Sequence, residues 1–492
     1  MPVQDRETLI GSVSKAEPVG AWRVPFYPQR ALLVLLCTLG LVYAPGWFYS
    51  IDLRGPDDAH WRSAFDLLEG KKIDFGITLL DPNASLDAFL NRDREELLID
   101  PQGSLNDFFR SLQAAEESTK ESAAGGSPAS TRPVHVVHYG DSPITADLIT
   151  ADVRRRLQER FGNAGHGFSL LAPPWVWYQH KGVKLVAEGW ELQSPAIGKR
   201  GDGIFGMGGV SFEGEEGAYS EITLQDASHT RLRVFYMRRP EGGAFLVEAN
   251  GQELAETSTD SESESSAWQT YPIPPGTRTI TIRVLEGAVR VFGVEFFKNH
   301  PGVVYSSLGL NGASTEVLSR HMELRHWGQQ LRATNPNLVV INYGTNESVH
   351  KDYVASRLDE ELRRAIRRVR QAVPDSAILV MSPMDRGVKD DEGNISTAET
   401  IPQVVEIQKR VAAEMNVAFF NTFAAMGGAG TMAKWYASNP RLVGSDFIHP
   451  MPAGAKLVGD LLFDGIEQQY RMYKLRELRK ILPQTVAKGK QG

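Results

Sequence analysis

The chain has 492 residues, a formal net charge of −7, 42% hydrophobic and 23% charged residues, and a single cysteine. This length implies about two or three domains, and the apolar content excludes a disordered or collagen-like chain. The acid excess argues against a nucleic-acid binder, whose surface is usually basic. Cys37 alone can form neither an intrachain disulfide nor a multi-thiolate zinc site.

In chain order, the first strong signal is residues 31–49, ALLVLLCTLGLVYAPGWFY, a run without charge. A membrane-spanning helix needs about 20 such residues. Arg23 and Arg30 precede the run, and Asp52, Asp57 and Asp58 follow it. By the positive-inside rule residues 1–30 are cytoplasmic, 31–49 form a single-pass signal anchor in the inner membrane, and the bulk of the chain is periplasmic or extracytoplasmic. The alternative is secretion after cleavage near Val42-Tyr43-Ala44, against which Pro45 and the long leader both count. Residues 51–131 read as a stalk or helical region ending in a linker, since 118–131 are rich in Ser, Ala and Gly.

At 134–139 the β-branched run VHVVHY ends at Gly140 and leads into a helix from about Ala146, with Ile149, Val153, Leu157 and Phe161 on one stripe. Strand, tight turn and helix make the βα unit of a parallel sheet. From 176 to 299 the pattern changes to short β-rich runs, with Asn250-Gly251 and Pro275-Gly276 as turn dipeptides. Regularly spaced strands without helices predict a β-sandwich. Beyond 300 the strand runs LVVINY, AILVM and VAFF alternate with helical patterns to about 475. The expected fold is therefore a three-layer α/β/α parallel sheet over 132–175 and 300–475, interrupted by a β-sandwich insert and preceded by a transmembrane helix.

Four short motifs fall at strand ends, where open α/β sheets place their sites. Gly140-Asp141-Ser142 sets a serine in a strand-to-helix turn, as a nucleophile or as a plain cap. Leu310-Asn311-Gly312-Ala313-Ser314 lets a backbone N–H approach an oxyanion, or is an ordinary turn. Tyr343-Gly344-Thr345-Asn346-Glu347 offers a side-chain amide donor or a helix cap. Asp446-Phe447-Ile448-His449 joins an imidazole to a carboxylate three residues upstream, as base and orienter or by coincidence. No cofactor or metal is expected: His135 and His138 face opposite sides of a strand and serve packing, while His166 and His180 are exposed-loop residues without partners. The glycine cluster at 201–209 lacks the strand–loop–helix context of a phosphate loop.

Taken together and in this order, the four motifs resemble the SGNH (GDSL-type) hydrolase superfamily. HYGDS at 138–142, RRLQERFGNAGHGF at 155–168, LGLNGAS at 308–314 and YGTNES at 343–348 are similar to its bacterial cell-envelope subgroup, which includes peptidoglycan O-acetylesterases with a carbohydrate-binding-like β-sandwich insert. The resemblance implies a flavodoxin-like SGNH domain with Ser142 as nucleophile, His449 as base and Asp446 as its orienter. It places the oxyanion hole on Ser142, Gly312 and Asn346. It implies an acetylated glycan as substrate, hydrolysed through an acyl-enzyme, with O-acetyl transfer between glycans or non-catalytic glycan binding as the other readings. Two positions depart from the pattern: Pro143 stands where the subgroup more usually has histidine, and Glu347 where the commonest superfamily motif has aspartate. Proline has no N–H to donate, which excludes an α/β-hydrolase elbow more than it harms an oxyanion hole built on the serine's own N–H.

Overall fold

The structure is a computed structural model that describes residues 97–127, 132–176, 178–196 and 201–488. The expected cytoplasmic segment, signal anchor and most of the stalk lie outside these residues. Among the described residues no helix is long and apolar enough to cross a membrane.

The chain enters the fold through a two-residue strand, β1 (Leu98–Ile99), and a helix, α1 (Asn106–Ala123). Strand β2 (Val134–Gly140), the short helix α2 (Ser142–Thr145) and α3 (Leu148–Phe161) follow. Helix thus begins at Ser142, four residues before the position read from periodicity. Strands β3 (Gly167–Ser169), β4 (Val183–Gln193), β5 (Ser211–Leu224), β6 (Arg231–Arg238), β7 (Ala244–Ala249), β8 (Gln252–Ser258), β9 (Ser265–Pro272), β10 (Thr279–Glu286) and β11 (Val289–Phe297) come next. The α/β alternation then resumes with β12 (Val303–Gly309), α4 (Leu324–Thr334), β13 (Leu338–Asn342), α5 (Lys351–Ser356), α6 (Leu358–Ala372) and β14 (Ala377–Met381). A small hairpin, β15 (Gly387–Lys389) and β16 (Ile395–Thr397), leads to α7 (Thr400–Glu414), β17 (Ala418–Phe420), α8 (Thr422–Ala425), α9 (Thr431–Ala437) and the long α10 (Pro452–Lys488).

The first sheet runs β1-β17-β14-β13-β2-β12, all parallel except β1 at one edge. Its five parallel strands, numbered along the chain and read from β12, have the order 2-1-3-4-5 of flavodoxin-like sheets. Every residue of β2, β12, β13 and β14 is buried, as expected for parallel strands covered on both faces. Alternation divides them: Val134 and Val136 join one core with α1, α3 and α10, while Val137 and Tyr139 join the other with α4, α6, α7 and the β-rich insert. The switch point, where strand order reverses, lies between β2 and β13.

The stretch read as a sandwich is one nine-stranded antiparallel sheet folded on itself. Strand β5 pairs with β11 through 212–214 and with β10 through 219–223, with β4 along both parts. Folding brings Tyr236 of β6 against Phe245 of β7, ring centroids 5.4 Å apart, and joins the free edges β8 and β9 by a Thr257–Tyr271 hydroxyl contact of 2.5 Å. The insert sits on the α/β layer through Phe292 stacked edge-on to His326 at 4.6 Å and Arg233 donating to the Ala333 carbonyl at 2.7 Å.

Residues 98–123, read from sequence as a stalk or helical region with a linker from 118, are helical to Ala123 and pack within the α/β domain, which therefore begins before 132. Phe109 of α1 is buried, with its ring 6.1 and 5.8 Å from Tyr470 and Tyr473 of α10. The apolar positions of α1 follow a helical stripe, but they pack on β2, α3 and the far end of the chain, α10. Phe109→Ala is expected to cost about 3–5 kcal/mol in urea unfolding, the usual loss for a buried phenylalanine; a loss under about 1 kcal/mol would return α1 to a stalk.

Candidate active site

The register of the parallel sheet sets the site. Gly309 and Asn342 both stand opposite Gly140, so the chain leaves β2, β12 and β13 at one level. A Cβ at Gly140 would come within 2.4 Å of the Ile144 side chain, and one at Gly309 within 2.4 Å of the Thr145 backbone nitrogen. Glycine is required at both places for α2 to turn back over the strand ends. This turn exposes the start of α2, where Ser142 sits. Pro143 is buried in the first turn of this helix, where a missing N–H costs nothing.

Ser142 and His449 are brought together. Nε2 of His449 lies 2.8 Å from Ser142 Oγ, and Nδ1 lies 2.6 Å from Oδ2 of Asp446. The carboxylate acceptor assigns the ring proton to Nδ1, which leaves Nε2 to accept from the serine hydroxyl. Oδ1 of Asp446 accepts the backbone N–H groups of Ile448 and His449 at 3.0 and 3.1 Å. Burial pushes the Asp446 carboxyl up, but these three donors outweigh it and hold it below the usual carboxylate range. The pair is open to solvent, with side-chain exposures of 47% for His449 and 46% for Asp446.

Gly312 adopts a left-handed φ of 74° in the loop after β12. Among the described residues no protein acceptor takes the N–H of Ser142 or of Gly312. The Asn346 amide donates one proton to the Ala313 carbonyl at 2.7 Å, tying the β13 loop to the β12 loop, and makes no cap of the 3₁₀ turn Glu347–Val349. Its second N–H is left for another acceptor.

Two acids that the motif reading gave no role adjoin these residues in the chain. Asp141 precedes the serine and Glu347 follows the asparagine; both are buried. Glu347 accepts from the N–H and the hydroxyl of Thr315, each at 2.7 Å, and its other oxygen has no hydrogen-bond partner among the described residues. Burial first, then the nearby Glu347, pushes Asp141 up to about 7, and burial likewise raises Glu347. An acid adjoining each of two site residues in sequence was the available signal.

Four other histidines singled out in the sequence make contacts of their own. His135 is buried and bonded to the Thr334 carbonyl and Ser306 Oγ, and His138 is buried against Tyr305 Oη at 2.6 Å. His166 and His180, read as exposed-loop residues with no partner evident in sequence, are a correction: His180 is buried and His166 half-buried. Their rings meet at 2.9 Å, and His180 also reaches the Ser307 carbonyl at 3.3 Å. They lie where the insert folds back onto α3 and β12, a long-range packing that local sequence does not reveal. Among the described residues no group of three or more His, Cys, Asp or Glu side chains could hold a metal ion.

Residues 286–457 match the model of the GDSL-like lipase/acylhydrolase family. The chain carries an SGNH-type hydrolase domain. By class it is a carboxylic ester hydrolase, and its domain resembles the O-acetylesterase subgroup. A solved peptidoglycan O-acetylesterase aligns at a TM-score of 0.62 and 22% identity, covering 76% of this chain and 99% of that one, which shows a shared fold. Two more distant structures are too remote to argue from. A family two carbohydrate esterase from Clostridium thermocellum aligns at a TM-score of 0.26, with 13% identity over 59% of this chain and 100% of that one. A salicylyl-acyltransferase from a tetracycline biosynthetic pathway aligns at 0.28, with 12% identity over 61% and 97%. No curated protein matches the chain.

The raised Asp141 carboxyl predicts a pH dependence with a defined sign. A carboxyl that holds its proton more tightly folded than unfolded makes stability fall as pH rises from the unfolded value, about 4, to the folded value near 7. Asp141→Asn is expected to flatten that slope, read as the urea midpoint at pH 4.5 and pH 7.5; an unchanged slope would remove Asp141 as its source.

Proposed function

We propose that the SGNH domain removes acetyl groups from an envelope or extracellular polysaccharide through an acyl-enzyme on Ser142. The observation that carries the reading is the unbroken chain from Asp446 through His449 to Ser142, at 2.6 and 2.8 Å. In this mechanism Nε2 of His449 takes the hydroxyl proton as Ser142 Oγ attacks the ester carbonyl. The imidazolium is held by Asp446 and returns the proton to the departing sugar oxygen. The N–H groups of Ser142 and Gly312 and the free N–H of Asn346 are the donors for the oxyanion. Water, deprotonated by the same base, then releases acetate and regenerates the serine.

The half-exposed His449 and Asp446 support a substrate that stays largely in solvent, such as an ester group projecting from a polymer. The shared fold with a peptidoglycan O-acetylesterase supports a glycan ester, and the folded sheet between β3 and β12 is the proposed carbohydrate-binding element. Residues 31–49 are proposed to anchor the chain in the inner membrane and hold the domain against the envelope.

Ser142→Ala is expected to abolish hydrolysis of a small acetyl ester without altering the circular dichroism spectrum, and a fluorophosphonate should label Ser142 of the parent protein. Turnover that persists in Ser142→Ala would refute the nucleophile. Asn346→Ala should lower kcat about 10²–10³-fold, the usual loss of one oxyanion donor; a loss under about threefold would make the amide a link between loops only.

A further inference from the structure

The loop carrying Asp446 and His449 contains a feature that the mechanism does not use. Phe447 adopts a left-handed φ of 59°. For a bulky side chain this is a genuine outlier that persists only where surrounding contacts impose it. Glycine would make the same turn without strain.

The contacts that impose it are specific. The Phe447 ring stands edge-on to Tyr436 of α9 with centroids 4.8 Å apart, and the Arg441 guanidinium caps the other ring of this stack at 4.1 Å. The Phe447 carbonyl accepts the Gly387 N–H at 2.9 Å, the first residue of the β15–β16 hairpin. A Cβ on Gly387 would lie 2.7 Å from that of Phe447, so the hairpin closes on the loop at a residue without a side chain. The turn closes on itself through Phe447 N–H to Gly444 O at 3.1 Å and Gly444 N–H to His449 O at 2.8 Å. In this conformation the two N–H groups that follow Phe447 both point back at Asp446 Oδ1.

We infer that Phe447 is a positioning residue: its ring, clamped on Tyr436, holds the 444–449 turn in the strained form that aims His449 at Ser142. The inference rests on the Ser142–His449 reading above and adds the device that maintains it in a loop otherwise open to solvent. Without the clamp the turn gains conformational freedom, and the imidazole spends less time within reach of the serine oxygen. Displacements of about 1 Å at a reacting group can cost about 10²-fold.

The test uses Phe447→Gly, which relieves the strain while removing the ring, and Tyr436→Leu, which removes the partner from outside the loop. On a small acetyl ester both are expected to lower kcat about tenfold to a hundredfold with KM unchanged. Phe447→Tyr, which keeps the ring, should restore parent kcat. In protein labelled with ¹⁵N-histidine, the fraction of His449 carrying its proton on Nδ1 should fall in both ring-removing variants and recover in Phe447→Tyr. Parent-like kcat and tautomer fraction in Phe447→Gly and Tyr436→Leu would overturn the clamp. A parent inactive on acetyl esters but showing the same tautomer changes would overturn the substrate proposal and leave the clamp standing.

Discussion

A single hydrogen bond, from the hydroxyl at 142 to the imidazole at 449, joins parts of the chain 307 residues apart. A contact of this span pays a large loop-closure entropy, so it cannot organise the fold; the fold must deliver both ends already aligned. Delivery on one side is by the parallel sheet, whose register levels the ends of β2, β12 and β13 and whose glycines let α2 turn over them. On the other side it is by α9 and α10, between which the histidine loop is stretched, with Val443 and Pro450 bridging its neck. The imidazole side of the pair is exposed and the serine side is backed by core, so precision depends on how the exposed loop is braced.

Electrostatics beneath the site point the other way from those above it. The residues that offer donors to an oxyanion adjoin in the chain two buried acids, Asp141 and Glu347, whose ionised forms would oppose negative charge nearby. Burial pushes both toward the neutral form, and the nearby Glu347 adds to the push on Asp141. The arrangement keeps polar atoms that fix the β12 and β13 loops, through Thr315 among others, at a place where burial disfavours full charge.

The insert does not stand apart from this framework. It emerges after α3 and returns into β12, and the histidine pair His166–His180 lies in that seam. The glycine run at 201–209, which has no phosphate-loop context, packs closely instead: Gly209 has a left-handed φ of 71°, and a Cβ there would meet Leu310, two residues before Gly312. The segment leading into β5 therefore packs against the loop that carries Gly312.

Much of this was legible in one dimension. The alternation of buried β-branched runs with helical stripes shows a parallel sheet because each strand must be apolar on both faces, and the motif after β2 and the one before the last helix single out Ser142, Asp446 and His449, which the fold brings together. Local pattern also separates the helix-free insert from its host. What sequence could not decide was every relation that depends on distant partners: that residues 98–123 are part of the domain, that the ring of His166 meets the buried His180, that Asp141 and Glu347 share one low-dielectric place, and that Phe447 is bent into a glycine conformation. Periodicity records which face of an element is apolar, a property of neighbouring residues; burial, pairing and strain are set by what arrives from elsewhere in the chain, and only the folded molecule contains that.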